Sequence, residues 1–165
     1  MPHPVGRLEQ IYTTPHAGDS VIASDGVRVL ANGLEGDRYT SGVGSFSRWP
    51  ASYRAVSLIA HEDLVAAKAE FGVSMLAGEH RRNLVVSGVP LASWRGTRFC
   101  IGTVELVGMR LCAPCKYLIR TTGQAAAFDA LVGRGGLRAR VEQPGRIEVG
   151  DAVEWIGSDG GRLPV

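Results

Sequence analysis

The sequence predicts a mainly β fold of the α+β class, a mixed β-barrel with a few peripheral helices. Short strand-like segments far outnumber helical ones, and they lack the regular βαβ alternation that a parallel sheet requires. Twenty-two glycines and eight prolines interrupt the short apolar runs. Such interruptions are typical of a β-rich chain with many turns.

The predicted elements follow from apolar periodicity and turn residues. A helix is expected over His61–Phe71, ended by Gly72, and a second over residues 124–132. Residues 21–23 and 27–30 predict a hairpin around Asp25-Gly26, because Asp-Gly supplies the positive φ of a tight turn. Residues 40–49, rich in Gly and Ser, predict a long exposed loop. The remaining strands are expected at 5–13, 55–60, 84–87, 97–101, 103–111, 137–141, 146–149 and 152–156.

Length and composition indicate one domain, residues 1–165, large enough to bury its own core. No apolar run approaches the roughly 18 residues of a membrane span, and the first ten residues do not resemble a signal peptide. Three cysteines, an odd number, favour reduced thiols and therefore a cytoplasmic location.

The basic residues are unusual in kind rather than in number. Net charge is only +2, but sixteen of the eighteen basic residues are arginine, leaving Lys68 and Lys116. Arginine is the better planar partner for phosphate and carboxylate, although a biased genome composition explains the same excess. Since the arginines are scattered and few aromatics lie between them, we do not predict nucleic-acid binding.

A two-cysteine turn, Cys112-Ala113-Pro114-Cys115, follows the β-rich run at residues 102–109. Pro114 excludes helical geometry for Ala113 and suits the first position of a short helical turn, which places Cys115 near unpaired backbone N–H groups. These groups and the nearby basic residues favour a thiolate, which is the nucleophilic and metal-binding form. The alternative is that both thiols are small buried hydrophobes.

Two common two-cysteine sites fit this turn poorly. A thioredoxin-type site opens a long helix, whereas here Thr121-Thr122-Gly123 ends any helix after about a turn. Structural zinc requires a second ligand pair, which the third cysteine and four histidines do not form. His80, beside two arginines, is either an anion contact or an ordinary surface histidine.

Several short motifs occur in a specific order: Gly33-Leu34-Glu35-Gly36-Asp37-Arg38, then Arg81-Arg82-Asn83-Leu84, then Gly102-Thr103-Val104-Glu105 leading to Pro114-Cys115, and finally Gly145-Arg146-Ile147-Glu148-Val149-Gly150-Asp151. By itself the first motif predicts an ordinary glycine turn with an exposed Asp–Arg pair. Together, over about residues 5–156, the motifs resemble the MOSC domain. That domain is the C-terminal domain of eukaryotic molybdenum cofactor sulfurases, and it also occurs as small stand-alone bacterial proteins. The resemblance implies a barrel-like β fold with peripheral helices.

The resemblance also implies a site for molybdenum cofactor. The family's single functional cysteine binds molybdenum in relatives that reduce N-hydroxylated compounds, and it matches Cys115. Cys112 has no counterpart in the family motif. The positions that match the pocket for the pterin phosphate are Arg82 and Asn83, followed by Arg81, Asp37 and Arg38. Pyridoxal phosphate belongs to a separate domain of the sulfurases, and we do not predict it here.

Three functions follow as hypotheses. The first is a molybdenum-cofactor protein, in a reductase or in cofactor sulfur chemistry, with an electron-transfer partner or a cysteine desulfurase. The second is a carrier that holds a persulfide on Cys115 and delivers its sulfur. The third is a dithiol–disulfide oxidoreductase that uses Cys112 and Cys115.

Overall fold

A computed structural model gives the fold, and the structure describes residues 2–41 and 55–159. Strands dominate it, with short helices on the outside. The strands are β1 (Gly6–Thr13), β2 (Ile22–Ser24), β3 (Gly26–Leu30), β4 (Gly33–Leu34), β5 (Val56–Ala60), β6 (Leu84–Ser87), β7 (Thr97–Ile101), β8 (Val104–Leu111), β9 (Leu137–Gln143), β10 (Gly145–Glu148) and β11 (Ala152–Ser158). The helices are α1 (Arg38–Ser41), α2 (His61–Phe71), α3 (Tyr117–Thr122) and α4 (Ala127–Ala130), with a 3-10 turn at Leu91–Trp94.

Seven strands close into a barrel in the order β1-β11-β7-β8-β9-β5-β6, because β11 pairs with both β7 and β1. The β5–β6 pair is parallel and the other barrel pairs are antiparallel, so the barrel is mixed. Strand β2 extends the sheet beyond β1, and β10, β3 and β4 form a separate three-stranded sheet. The predicted mainly β barrel with peripheral helices is confirmed.

Alternation along the strands produces two apolar clusters. Leu58 and Leu84 point into the barrel, whereas Ile59 and Val85 belong to a second cluster on its outer face. The helices α2, α3 and α4 pack on that outer cluster, and Leu118 is the buried residue of α3. Ser57 of β5 is buried, whereas Arg138, its partner on β9, is only half-buried.

Several predicted elements are confirmed with the expected bounds. Helix α2 spans His61–Phe71 and ends where Gly72 adopts a left-handed conformation. Strands Leu84–Ser87 and Thr97–Ile101 also match. These segments combine a clear apolar pattern with a strong terminator, so local sequence determines them.

The predicted hairpin is wrong. Strand β2 pairs with β1, whereas β3 pairs with β10 and β4. Gly26 does not adopt a positive φ. The ladder from Gly26 to Val29 with β10 buries Val27 and Val29, and this pairing outweighs the local preference of Asp-Gly for a tight turn.

The second predicted helix is shorter than expected, Ala127–Ala130 rather than 124–132. The side chain of Gln124 bonds both the N–H and the carbonyl of Ser74, at 3.0 and 3.1 Å, which holds this residue outside the helix. Beyond Ser41, the predicted loop at 40–49 lies outside the described residues. In the part of the chain that the structure describes, no helix is long and apolar enough to cross a lipid bilayer.

Candidate functional site

A cleft of about 430 Å³ lies on the outside of the barrel, beside β5 and β9. We call it the arginine cleft. Five arginines line it, and none of its described lining residues is a carboxylate. The lining residues are Ala17, Gly18, Arg38, Ser57, Arg81, Arg82, Cys115, Tyr117, Leu118, Arg120 and Arg138.

Cys115 enters the cleft from the connection between β8 and α3. The N–H of Cys112 donates to the carbonyl of Gly136 at 2.8 Å, which continues the pairing of β8 with β9 past the end of the strand. Helix α3 spans Tyr117–Thr122, so the prediction that Pro114 begins the helical turn is wrong. The turn that leads into the helix begins at Cys115, whose carbonyl accepts the Leu118 N–H at 3.1 Å.

The two cysteines of the turn differ in exposure. Cys112 is buried, Cys115 is exposed, and both are free thiols. Each of the two interpretations of the turn therefore applies to one cysteine. Cys112 packs as a small hydrophobe, whereas Cys115 is accessible, as a reactive thiol must be. Helix α3 has six residues and ends at left-handed Gly123, which is shorter than the thioredoxin arrangement requires. The dithiol hypothesis for this pair stays a prediction.

Arg82 is held by the backbone on two sides. Its Nε donates to the Gly135 carbonyl at 2.8 Å, and its Nη1 donates to the His80 carbonyl at 3.3 Å. Gly135 also packs against the cysteine turn, where an added Cβ would overlap the Cys112 carbonyl oxygen. The glycine at this position therefore sets the separation between Arg82 and the cysteine turn.

His80 is fully buried, so the prediction of a surface histidine is wrong. Burial, and then the neighbouring Arg82 guanidinium, lower the pKa of His80 from 6.5 to about 3. The ring is neutral at pH 7, and its Nδ1 accepts the backbone N–H of Arg82 at 2.9 Å. The proton therefore sits on Nε2, a buried atom that has no hydrogen-bond partner in the part of the chain that the structure describes. His80 fixes the backbone that carries Arg82.

Arg81 has a left-handed backbone, with φ 62°, which is uncommon for a residue other than glycine. Its Nη1 donates to the Asp19 carbonyl at 2.9 Å, while its Nε and Nη2 are buried and have no hydrogen-bond partner among the described residues. Burial, and then Arg38, lower the pKa of Arg81. Its guanidinium carbon lies 5.7 Å from the centre of the Tyr117 ring. The arrangement keeps two strong donors of Arg81 available in a partly desolvated position.

Asp37 and Asn83 are both buried and line a smaller adjoining cavity. Asp37 accepts the Thr14 N–H at 2.8 Å, so the expectation of an exposed Asp–Arg pair is wrong for this residue. Asn83 accepts the N–H and hydroxyl of Ser57 at 3.1 and 3.0 Å and donates to the Tyr12 carbonyl at 3.2 Å. Asn83 thereby joins β1, β5 and the start of β6.

The structure thus brings four of the predicted site residues to one cleft and two to the cavity beside it. The four in the arginine cleft are Cys115, Arg82, Arg81 and Arg38; the two in the adjoining cavity are Asp37 and Asn83. Arg38, Arg81, Arg82 and Ser57 line both spaces.

Among the lining residues that were not predicted, three have charged or aromatic side chains: Tyr117, Arg120 and Arg138. Tyr117 and Arg120 belong to α3, which starts two residues after Cys115, so proximity in sequence was an available signal. Arg138 stands opposite Ser57 in the β5–β9 pair, with its inward neighbours Leu137 and Ala139 buried. Alternation predicts that Arg138 points outward, but only the strand order places it beside the cleft.

Among the described residues, no group of three or more histidine, cysteine or carboxylate side chains is arranged to hold a metal ion. A metal at this site would therefore arrive with ligands of its own, and the chain would add few. Cys115 is the soft ligand that lines the arginine cleft.

The fold resembles several solved structures at low sequence identity. The YUAD protein from Bacillus subtilis superimposes with a TM-score of 0.78 at 20% identity, over 96% of this chain and 99% of that one. YiiM from Geobacillus stearothermophilus gives 0.70 at 19% identity, over 96% of this chain and 78% of that one. YiiM from Escherichia coli gives 0.65 at 20% identity, over 100% of this chain and 72% of that one. These likenesses show the fold.

A sequence search of curated proteins finds no significant match. The family model of the MOSC domain, in contrast, matches residues 17–154, which include each of the lining residues of the arginine cleft. The match covers most of the chain, and it agrees with the motifs and with the mixed barrel. This chain therefore belongs to the MOSC domain family, which is associated with molybdenum cofactor.

Proposed function

We propose that this protein binds molybdenum cofactor in the arginine cleft, with the Cys115 thiolate as a sulfur ligand to molybdenum. One observation carries the proposal: an exposed thiol and five guanidiniums line the same cleft, which has no carboxylate among its described lining residues. A site of this composition suits a ligand with a soft metal at one end and an anionic group at the other.

The residues present fit such a ligand. The cleft of about 430 Å³ is within the range of roughly 300–1,000 Å³ that is usual for small-molecule and cofactor sites. Arg38 and Arg82 line both the cleft and the adjoining cavity, so a phosphate between the two spaces would meet guanidiniums from two separate segments of the chain. Since no three metal-binding side chains meet within the described residues, the metal would be held mainly by the organic part of the cofactor.

The arginines would bind the terminal phosphate of the pterin. Arg82 is already oriented by Gly135 and His80, so little side-chain freedom is lost on binding. Arg38 follows Asp37, and its backbone N–H bonds the Thr14 carbonyl at 2.9 Å. Arg81 lies beside both. In this proposal Asp37 and Asn83 position the pocket, because each is buried and bonded to backbone groups.

When bound, the cofactor would supply redox chemistry at molybdenum. Cys115 would hold the metal at the exposed end of the cleft, where a small substrate and an electron-transfer partner can approach. A cytoplasmic location would keep this thiol reduced. The reaction we propose is reduction of a small molecule, and the substrate class is taken up below.

The direct test is anaerobic reconstitution with molybdenum cofactor, followed by metal analysis of the wild type, Cys115→Ala and Cys112→Ala. We expect wild-type molybdenum content in Cys112→Ala and a loss of most of it in Cys115→Ala. Equal molybdenum in the wild type and Cys115→Ala would remove Cys115 from the role of ligand.

The arginine side is tested by Arg82→Ala and Arg82→Lys. Loss of a charge-assisted contact should weaken cofactor binding by about 2–5 kcal/mol, and lysine should restore only part, because a point charge does not reproduce the planar fork. Arg7→Ala, on an exposed arginine of β1, is the matched control and should bind as the wild type does. Unchanged affinity in folded Arg82→Ala would place the phosphate elsewhere.

A second function, persulfide delivery, is favoured by the exposure of Cys115. A cysteine desulfurase persulfide would transfer its outer sulfur to the Cys115 thiolate, leaving the donor as a thiol and Cys115 as a persulfide. Intact mass after incubation with a desulfurase and cysteine should then increase by about 32 Da, one sulfur. An increase that requires Cys115 supports the carrier; its absence, with molybdenum retained, supports the cofactor site.

A further inference from the structure

Two arginines share one aromatic ring at the edge of the arginine cleft, next to Cys115. The guanidinium carbon of Arg81 lies 5.7 Å from the centre of the Tyr117 ring, and that of Arg120 lies 5.8 Å from it. Tyr117 and Arg120 are three residues apart in α3, so they are neighbours on one face of the helix. Cation–π contacts hold both guanidiniums beside the Tyr117 ring, and all three residues line the same cleft as Cys115.

Arg81 keeps two donors unused among the residues that the structure describes. Its Nη1 bonds the Asp19 carbonyl, whereas its Nε and Nη2 are buried and have no hydrogen-bond partner there. Its backbone is also held in the left-handed region. Buried donors without acceptors and local backbone strain are both unfavourable, and they persist where a ligand or function requires them. Within the described residues no group accepts a hydrogen bond from these donors, and a bound anion would satisfy them.

The lining of the cleft favours an anion at more than one point. Its described lining residues include five arginines and no carboxylate. Arg120 is exposed on α3, whereas Arg82 is bonded to the backbone carbonyls of Gly135 and His80. The exposed guanidinium of Arg120 can therefore meet an anion that arrives from solvent.

We propose that the substrate that reaches Cys115 carries an oxyanion group, a carboxylate, phosphate or sulfonate, which Arg120 binds together with Arg81 beside the Tyr117 ring. This rests on the proposed function for the identity of the reaction, but not for the existence of the anion site. Planar guanidiniums bind such groups in a bidentate manner, and the cleft concentrates anions near the thiol.

The test uses the thiol itself as the reporter, on the full chain without cofactor. Cys115 is alkylated by iodoacetate, an anion, and by iodoacetamide, its neutral analogue, and peptide mapping separates Cys115 from Cys100 and Cys112. The ratio of the two rates, divided by the same ratio for 2-mercaptoethanol, cancels the ionisation of the thiol. We expect a normalised ratio of about 10 at an ionic strength of about 0.01 M, falling toward unity near 1 M.

Arg120→Gln should lower the normalised ratio about threefold, and Arg120→Lys should recover part of it. Arg7→Gln removes the same charge from a distant, exposed position and should leave the ratio unchanged. Competition by acetate, sulfate and phosphate in separate arms distinguishes a preference for planar from tetrahedral anions.

The inference is overturned if the wild-type ratio equals that of 2-mercaptoethanol, or if Arg120→Gln leaves it unchanged. It is also overturned if Arg120→Gln loses molybdenum on reconstitution, since Arg120 would then belong to the cofactor pocket. If the wild type binds no molybdenum but its ratio depends on Arg120, the anion site stands and the cofactor assignment alone fails.

Discussion

The turn at residues 78–83 and the segment at residues 112–116 both line the arginine cleft, but they are built differently. In the turn, His80 and Asn83 are buried and bonded to the surrounding backbone. In the segment, Cys112 is buried, whereas the residues up to Lys116 are exposed or half-buried. Folding therefore fixes the turn, which we call the arginine side, and leaves the segment, which we call the cysteine side, accessible. A fixed arginine side suits the proposed anion binding, and an accessible thiol suits the proposed thiol chemistry.

Gly135 and Gly136 join the two sides, because the Gly135 carbonyl accepts from Arg82 and the Gly136 carbonyl accepts from the Cys112 N–H. A substitution in this pair should have the largest effect on the free energy of unfolding. Gly136 has φ +95°, and an added Cβ would overlap the Leu58 carbonyl oxygen. Gly136→Ala should therefore reduce the free energy of unfolding by about 4 kcal/mol, measured by urea denaturation.

The matched control is Gly123→Ala. Gly123 has φ +68°, and no heavy atom lies within 4 Å of an added Cβ, so only the backbone strain of about 1–2 kcal/mol applies. Equal destabilisation by the two substitutions would show that the glycine pair does not hold the cleft together.

On the arginine side, Asn83→Ala should reduce the free energy of unfolding by about 3 kcal/mol. The substitution leaves the buried N–H of Ser57 and the carbonyl of Tyr12 without partners. Asn32→Ala, at an exposed asparagine with one long hydrogen bond of 3.4 Å, should change it by less than about 0.5 kcal/mol. A small effect at Asn83 would contradict the view that buried polar groups fix this side.

His80 should give the arginine side a pH dependence. Its folded pKa of about 3 is below the ordinary 6.5, so the unfolded chain binds a proton that the folded chain does not. Stability is complete above about pH 6.5 and is lost as the pH falls toward the folded pKa. Between pH 7 and pH 5 this contribution amounts to about 2 kcal/mol.

The measurement is urea denaturation at pH 7 and pH 5 for the wild type and His80→Asn, which keeps an acceptor near the Nδ1 position. The difference between the two pH values should shrink by about 2 kcal/mol in the variant. His61→Asn, at an exposed histidine, should retain the wild-type difference. A wild-type pH dependence in His80→Asn would contradict the assignment.

The smallest effect is expected on the cysteine side. Because Cys115 is exposed, Cys115→Ala should change the free energy of unfolding by less than about 0.5 kcal/mol. Cys112→Ala removes a buried thiol and should destabilise by about 1 kcal/mol. Both changes in the free energy of unfolding are measured by the same denaturation method. A larger change for Cys115→Ala than for Cys112→Ala would contradict the view that only Cys112 contributes to packing.

The sequence predicted the parts of the fold that local pattern determines. Helix His61–Phe71, with Gly72 after it, needs no distant partner to be recognised. The hairpin prediction is wrong because β3 pairs with β10, which lies more than a hundred residues later in the chain. Pairing over such separations is not visible in local turn preferences.

Some residues of the candidate site could also be predicted from local motifs, whereas others depend on distant contacts. Cys115, Arg82 and Arg38 follow from motifs, and the structure brings them to one cleft. The cleft position of Arg138 depends on β9 lying beside β5, which sequence alone does not give. The burial of His80 depends on the turn before β6 folding inward, and no local pattern marks it.

We propose that Cys115 supplies a sulfur ligand to molybdenum. X-ray absorption at the molybdenum K-edge, on the reconstituted wild type and Cys115→Ser, counts the sulfur neighbours of the metal directly. We expect one more sulfur neighbour in the wild type than in the variant. An identical sulfur count in both, with the metal retained at equal content, would contradict it.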